Sequence, residues 1–370
     1  MVCCCRILDY ADYPVAWAPG GGYRGRVLAP PDDLPDAVLA SALEHSWAMA
    51  VASVEYRAVG WGSHHWDVAD AAGSRWFVTA DDLEEKRLWE DGPTAQCGRL
   101  RAALTAAGDL RDCGRTFVVA PVPARNGALL ALVSGRFATA VYPFVGDQAF
   151  TWGEFSSAEH RLGVLALLAA VHTAPAAASR HALADDFTVP HRAALEAALG
   201  PARETAGCRP PADCGPYARP AGLLLRQNAA PVRRLLARYD DLVRHARSRP
   251  SRTVLTHGEP HAGNTMLTAG GWVLIDWDTA LVAPRERDLW HLDRGDPADF
   301  DAYAEATGVG PIPSLLDLYR LRWDIADIAS YASEFRRPHA GTANDNKSWQ
   351  LLNSLMERVS GPEACGRPDG

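Results

Sequence analysis

The sequence predicts an α+β fold in two lobes, an N-terminal lobe built on a β-sheet and a C-terminal lobe that is mainly helical. Three observations predict it. Between Ala52 and Val145 the chain reads as short strands separated by turn residues. From Ser156 onward apolar residues recur at helical spacing. Between Thr253 and Trp290 a compact hairpin interrupts the helices and gathers acids and an amide at one rim. A length of 370 residues, 48% of them hydrophobic, supplies core enough for both lobes. Their expected boundaries are 34–146 and 147–360, with residues 1–33 and 361–370 expected to be tails, the first of them disordered.

The first tail holds Pro14, Pro19, Gly20-Gly21-Gly22 and Pro30-Pro31, with little periodicity. A helix is expected over Leu34–Trp47, where Leu34, Val38, Leu39, Leu43 and Trp47 share a face and Asp32 or Asp33 can cap it. Strands follow at Ala52–Val59 and Trp66–Ala69. Between them lies Gly60-Trp61-Gly62-Ser63, whose glycines let backbone amides approach an anion. Arg75–Ala80 is a third strand, and a helix is expected over Ala95–Ala107. Phe117–Pro121, Ala128–Leu132 and Phe137–Val145 read as further strands, the last ending at Tyr142-Pro143-Phe144-Val145, where proline stiffens a crossing between lobes.

In the second lobe Glu159–Thr173 is apolar on most sides, with His172 as a capping or core residue, and Asn228–Arg247 is amphipathic. The chain is acidic from Asp288 through Asp293, Asp296, Asp299, Asp301 and Glu305. A long helix is then expected over Leu315–Phe335, with Asp324, Asp327, Tyr331 and Glu334 on one face. That face is either solvated or lines a cleft.

The hairpin carries the chemistry. Thr265–Leu267 and Trp272–Ile275 are its strands, with Gly270-Gly271 at the turn, and the second strand runs into Asp276-Trp277-Asp278. Ahead of it stands His257-Gly258-Glu259-Pro260-His261-Ala262-Gly263-Asn264. A hard cation such as Mg2+ takes a few protein oxygens and completes its octahedron with phosphate and water. Phosphoryl transfer needs that cation plus one group to orient the attacking hydroxyl. A zinc reading of His257, Glu259 and His261 requires an extended loop, against which Pro260 and Gly263 argue.

These residues resemble the aminoglycoside phosphotransferase family, whose loop reads His-Gly-Asp-x-x-x-x-Asn and whose metal acid follows a strand. The spectinomycin-phosphotransferase-like branch is the nearest in pattern. The resemblance is strong over 251–290, fair over 52–146 and thin elsewhere. It implies a two-lobed protein-kinase-like fold and transfer of the γ-phosphate of ATP, with Mg2+, to a hydroxyl of a small molecule. By the same resemblance Glu259 stands at the base position, Asn264 and Asp276 are catalytic metal ligands with Asp278 beside them, and His257 and Asp288 brace the loop. Gly60, Gly62 and Ser63 become a phosphate lid, and Tyr142, Phe144 and Val145 an adenine-binding hinge. Asp324, Asp327 and Tyr331 become contacts to a cationic acceptor such as an aminoglycoside or aminocyclitol.

Two departures stand out. Glu259 replaces the family's Asp, and the strand position that usually carries lysine holds Thr79, with no glutamate on the following helix. Lys86, one of only two lysines in the chain, or Arg75 is the available substitute. A metabolic kinase for choline, ethanolamine, homoserine or a sugar, and a nucleotide-binding pseudokinase, are the alternatives on the same fold. A net charge of −8 with no Lys/Arg-rich block argues against a nucleic-acid partner. No apolar run is long enough to span a bilayer, and the scattered cysteines suit a reducing cytoplasm.

Overall fold

The computed structural model describes residues 29–59, 62–84, 92–146, 150–151, 153–200, 214–248 and 253–360. Residues 1–28 of the expected tail at 1–33, and the tail at 361–370, lie outside them, as do Gly60, Trp61 and Lys86.

The N-terminal part is a five-stranded antiparallel sheet in the order β1-β2-β3-β5-β4, formed by β1 (Val51–Arg57), β2 (His64–Asp70), β3 (Arg75–Asp82), β4 (Ala131–Val133) and β5 (Phe137–Pro143). Alternation along the strands sorts its two faces. Trp66, Val68, Val78, Phe137 and Val141 pack under Leu39 and Leu43 of helix α1 (Asp36–Trp47). The opposite face, with Ala138 and Ala140, packs against Cys97, Leu100 and Leu104 of α2 (Gly92–Asp112). Neither Asp32 nor Asp33 caps α1. Its N-cap is Pro35, without a side-chain bond, and Asp33 instead pairs with Arg136 at 2.5 Å.

The run Phe117–Pro121 is not a strand. Its backbone bridges from the C-terminal part, where Val119 N–H donates to the Leu274 carbonyl, up to β5, where Val122 N–H donates to Val141. A chain that changes partner within four residues ties the two parts together without building a ladder in either.

The rest is helical, with α3 (Ala158–His172), α4 (Arg192–Ala198), α5 (Ala218–Gln227), α6 (Ala229–Arg247), α7 (Glu286–Leu289), α8 (Asp301–Thr307), α9 (Pro313–Glu334) and α10 (Ala343–Ser360) around one core. Two small antiparallel pairs sit among them. β6 (Thr253–Thr256) pairs with β9 (Leu281–Pro284), a strand the sequence pattern did not announce. β7 (Thr265–Thr268) pairs with β8 (Gly271–Leu274) across a turn at Ala269-Gly270, one residue earlier than expected. Helix α3 carries the hairpin on its side. Ser157 caps it, the His160 ring stacks on Trp272 at 4.0 Å, and a side chain at Gly163 would lie 2.5 Å from that indole. Among the described residues no helix is long and apolar enough to cross a membrane.

Candidate active site

The loop between β6 and β7 is clamped from beneath. Asp288, fully buried on α7, accepts the backbone N–H of His257 at 2.8 Å and of Gly258 at 2.6 Å, and the His172 ring at 3.0 Å. Burial alone pushes its carboxyl up, but the His172 bond and the nearby Arg287 and His257 outweigh it and hold the pKa below the usual range. Tyr303 braces His172 in turn at 2.6 Å. The buried His257 ring ties the loop to the hairpin. Its Nδ1 accepts Glu259 N–H at 3.2 Å, so Nε2 carries the proton and donates to the Ile275 carbonyl at 2.8 Å. Burial depresses its pKa and keeps it neutral. Both ring nitrogens are thereby engaged, which removes His257 from any zinc site.

Gly258 sits at φ +105°, and a side chain there would lie 2.4 Å from the Arg287 guanidinium. That guanidinium donates to Thr256 Oγ1 at 2.9 Å and to the Thr279 carbonyl at 2.8 Å. The next residue, Glu259, lines the cavity beside the loop, with its carboxylate 4.0 Å from the His261 ring. The Asn264 amide nitrogen donates to the Glu259 carbonyl at 3.0 Å, which leaves its oxygen as the atom available to a cation. The Asn264 carbonyl accepts Ile275 N–H at 3.0 Å, drawing the loop's end against the residue before Asp276.

Asp276 occupies the left-handed region at φ +64°, and Trp277 is buried with its indole N–H on the Leu274 carbonyl at 3.0 Å. The buried tryptophan lies between two carboxylates at the rim. From above, Tyr142 at the end of β5 meets them. Burial, then the charges of Asp276, Asp278 and Asp81, raise its hydroxyl pKa well above the ordinary value. Asp81 and Thr79 share that face of β3, the latter opposite Ala140, so the strand position without a lysine opens on this cleft. Among the described residues no group of three or more His, Cys, Asp or Glu side chains is set to hold a metal by itself. A cation held by Asn264, Asp276 and Asp278 would therefore need further oxygens from phosphate and water.

The other expected residues lie around this rim or beyond it. Ser63 donates to Asp81 at 2.8 Å, and Gly62 has φ +84°. Phe144 N–H donates to the Arg75 carbonyl at 3.3 Å, and Val145 follows it out of the sheet. Arg75 pairs with Asp67 at 3.2 Å and lies over the Phe144 ring at 3.6 Å, so it does not stand in for the strand lysine. The face of α9 expected to line a cleft is turned inward. Asp324 pairs with Arg358 of α10 at 3.2 Å, and Asp327 and Tyr331 are buried. The neighbouring face of α9, with Tyr319, Arg322 and Trp323, lines a cavity of about 220 Å³ whose walls also include Asp81 of β3, α2, Glu259, Asp278 and Trp290. Asp81, Arg287 and Trp323 were not anticipated. Only Asp81 left a signal, since it lies two positions beyond Thr79 on the same face.

The family model described as "Phosphotransferase enzyme family" matches residues 56–323. Protein StrN of Streptomyces griseus is 33% identical over 303 residues, 75% of this chain and 88% of StrN. Among solved structures, spectinomycin phosphotransferase in complex with ADP and spectinomycin matches with a TM-score of 0.62 at 16% identity. That match covers 87% of this chain and 96% of the other. The AMP-bound complex of the same enzyme gives 0.59 at 16% identity, over 88% and 98%.

Proposed function

The chain belongs to the aminoglycoside phosphotransferase family and is a small-molecule phosphotransferase, and from that premise we propose ATP as the donor, Mg2+ as the cofactor and a hydroxyl of an aminocyclitol or aminoglycoside as the acceptor. One observation carries the reading. The Asp288–His257 clamp sets Glu259, Asn264 and Asp276 on one rim, beneath the face of β3 and β5 that holds Tyr142.

In this reading Glu259 orients the acceptor hydroxyl and accepts its proton. The acceptor oxygen bonds to the γ-phosphorus as the bond to the β–γ bridging oxygen breaks, and ADP leaves with that electron pair. Asn264 and Asp276, with Asp278 beside them, are the oxygen donors that would hold Mg2+. When bound, the ion neutralises charge on the phosphates. Tyr142, Phe144 and Val145 border the adenine side. The nucleotides in the spectinomycin phosphotransferase structures support a nucleotide donor. Thr79 in place of the strand lysine favours a second reading, a nucleotide-binding regulator with little turnover, against which the set of Glu259, Asn264 and Asp276 argues.

Transfer from γ-labelled ATP to a panel of amino sugars and aminoalcohols tests the proposal. Labelled product that depends on Mg2+ and disappears in Asp276→Asn supports it. Nucleotide binding without transfer to any acceptor supports the regulator.

A further inference from the structure

Kinase folds bring a cation to the donor phosphates from the third strand and pair it with an acid on the following helix. In this chain the signs are reversed. Strand β3 offers Thr79 and, two positions on along the same face, Asp81, while helix α2 offers Arg99. Asp81 and Arg99 both line the cavity beside the catalytic loop, together with Glu259 and Asp278.

Helical spacing puts Arg99 there. Gln96, Arg99, Leu100 and Ala103 stand at i, i+3, i+4 and i+7, and all four line the cavity. Packing beneath the sheet fixes that rotation of the helix, with Cys97, Leu100 and Leu104 buried against Ala138 and Ala140 of β5. The charge of Asp81 is felt at Cys97, so this turn of α2 lies close under the end of β3.

The strand itself brings no cation to this space. Thr79 bonds the Tyr142 hydroxyl, Asp81 accepts the Ser63 hydroxyl at 2.8 Å, and Arg75 is turned to Asp67 and the Phe144 ring. The two other arginines of the cavity hold the protein together. Arg287 braces Thr256 and the Thr279 carbonyl beside Asp288, and Arg322 pairs with buried Asp185 at 2.7 Å. Three carboxylates, Asp81, Glu259 and Asp278, border the same space, so an incoming phosphate needs positive charge here besides the metal. In the transfer geometry the γ-phosphorus lies between the hydroxyl that Glu259 orients and the cation beside Asp278. The forked N–H groups of a guanidinium match phosphate oxygens two at a time.

We propose that Arg99 of α2 supplies the charge that the strand lacks and that it binds the terminal phosphate of the donor. A strand lysine holds the inner phosphates instead. The chain therefore distinguishes ATP from ADP by a side chain on α2. This rests on the ATP reading of the site, and the test separates the two.

Calorimetry on the full chain with Mg2+ compares ADP with AMP-PNP, a non-hydrolysable analogue of ATP. Arg99→Gln is expected to weaken AMP-PNP about ten- to a hundredfold and ADP by less than about threefold, with the melting temperature unchanged. Arg99→Lys is expected to recover part of the loss, since it keeps the charge without the fork. On the wild-type chain, modification of Arg99 by phenylglyoxal, read by mass spectrometry, is expected to be blocked by AMP-PNP and not by ADP. That arm tests the contact even if Arg99→Gln does not fold. Equal losses for the two nucleotides, no loss for either, a selective loss in Lys86→Gln in place of Arg99→Gln, or modification indifferent to AMP-PNP overturns the proposal alone. A wild-type chain that binds neither nucleotide overturns the ATP reading, and the proposal with it.

Discussion

Asp276 is held where a non-glycine residue is uncommon, at φ +64°. Such a conformation costs on the order of 1–3 kcal/mol and persists only when the surroundings impose it. Here buried Trp277 and the Ile275–Asn264 hydrogen bond impose it. Asparagine tolerates the same region, so Asp276→Asn removes the charge and keeps the turn. Steady-state kinetics of that variant are expected to show kcat lowered about 10²-fold or more with an unchanged melting temperature. Near-wild-type turnover would remove Asp276 from the chemistry. Glu259→Gln is expected to lower kcat roughly 10²-fold while nucleotide affinity stays put. A change in nucleotide affinity alone would make Glu259 a structural residue. Gly258→Ala meets both a positive φ and the Arg287 guanidinium at 2.4 Å. Its thermal melt is therefore expected to show a loss of about 1–3 kcal/mol, and an unchanged melt would show that Arg287 swings clear.

At the scale of elements, the catalytic hairpin was legible because its signals are local: a histidine-to-asparagine spacing, a strand, then an acid. The clamp around it was only half legible. Asp288 follows from the motif, but Arg287 acts through Gly258, and β9 pairs with a strand 25 or more residues away, which no local period reports. Helix α9 runs close to its expected ends, yet its acidic face, expected either in solvent or lining a cleft, packs against the protein. Helical spacing says which residues share a face and nothing about which neighbour covers it. Unanticipated α10 covers that one. Burial raises the Asp324 carboxyl pKa in spite of Arg358, so desolvation outweighs what the ion pair contributes. Asp324→Asn is accordingly expected to cost no more than about 1 kcal/mol. Acceptor KM should not move, and a tenfold rise would return this face to the substrate site.

Across the whole molecule, four buried or half-buried histidines gather around the catalytic loop and its hairpin. His257, His261 and His291 lie in or beside the catalytic loop, and His160 lies under the hairpin against Trp272. Burial lowers the pKa of each below the ordinary 6.5, and that of His291 to about 3. The sign follows from linkage. A histidine whose folded pKa is depressed binds fewer protons folded than unfolded, so its neutral form stabilises the fold fully above pH 6.5. That stabilisation is lost progressively as the pH falls towards the folded value. Asp288, also depressed, adds to the loss only at lower pH, below the usual carboxylate range. Urea unfolding between pH 8 and pH 5 is therefore expected to show constant stability down to about 6.5 and a decline below it. Each histidine contributes up to about 1.4 kcal/mol per pH unit to that decline. His291→Phe retains a ring between Trp290 and Trp323 but cannot titrate, and it should flatten the decline by one proton's worth. A stability that stays level to pH 5, or a His291→Phe profile parallel to the wild type, would mean that these rings take up protons without loss of the fold.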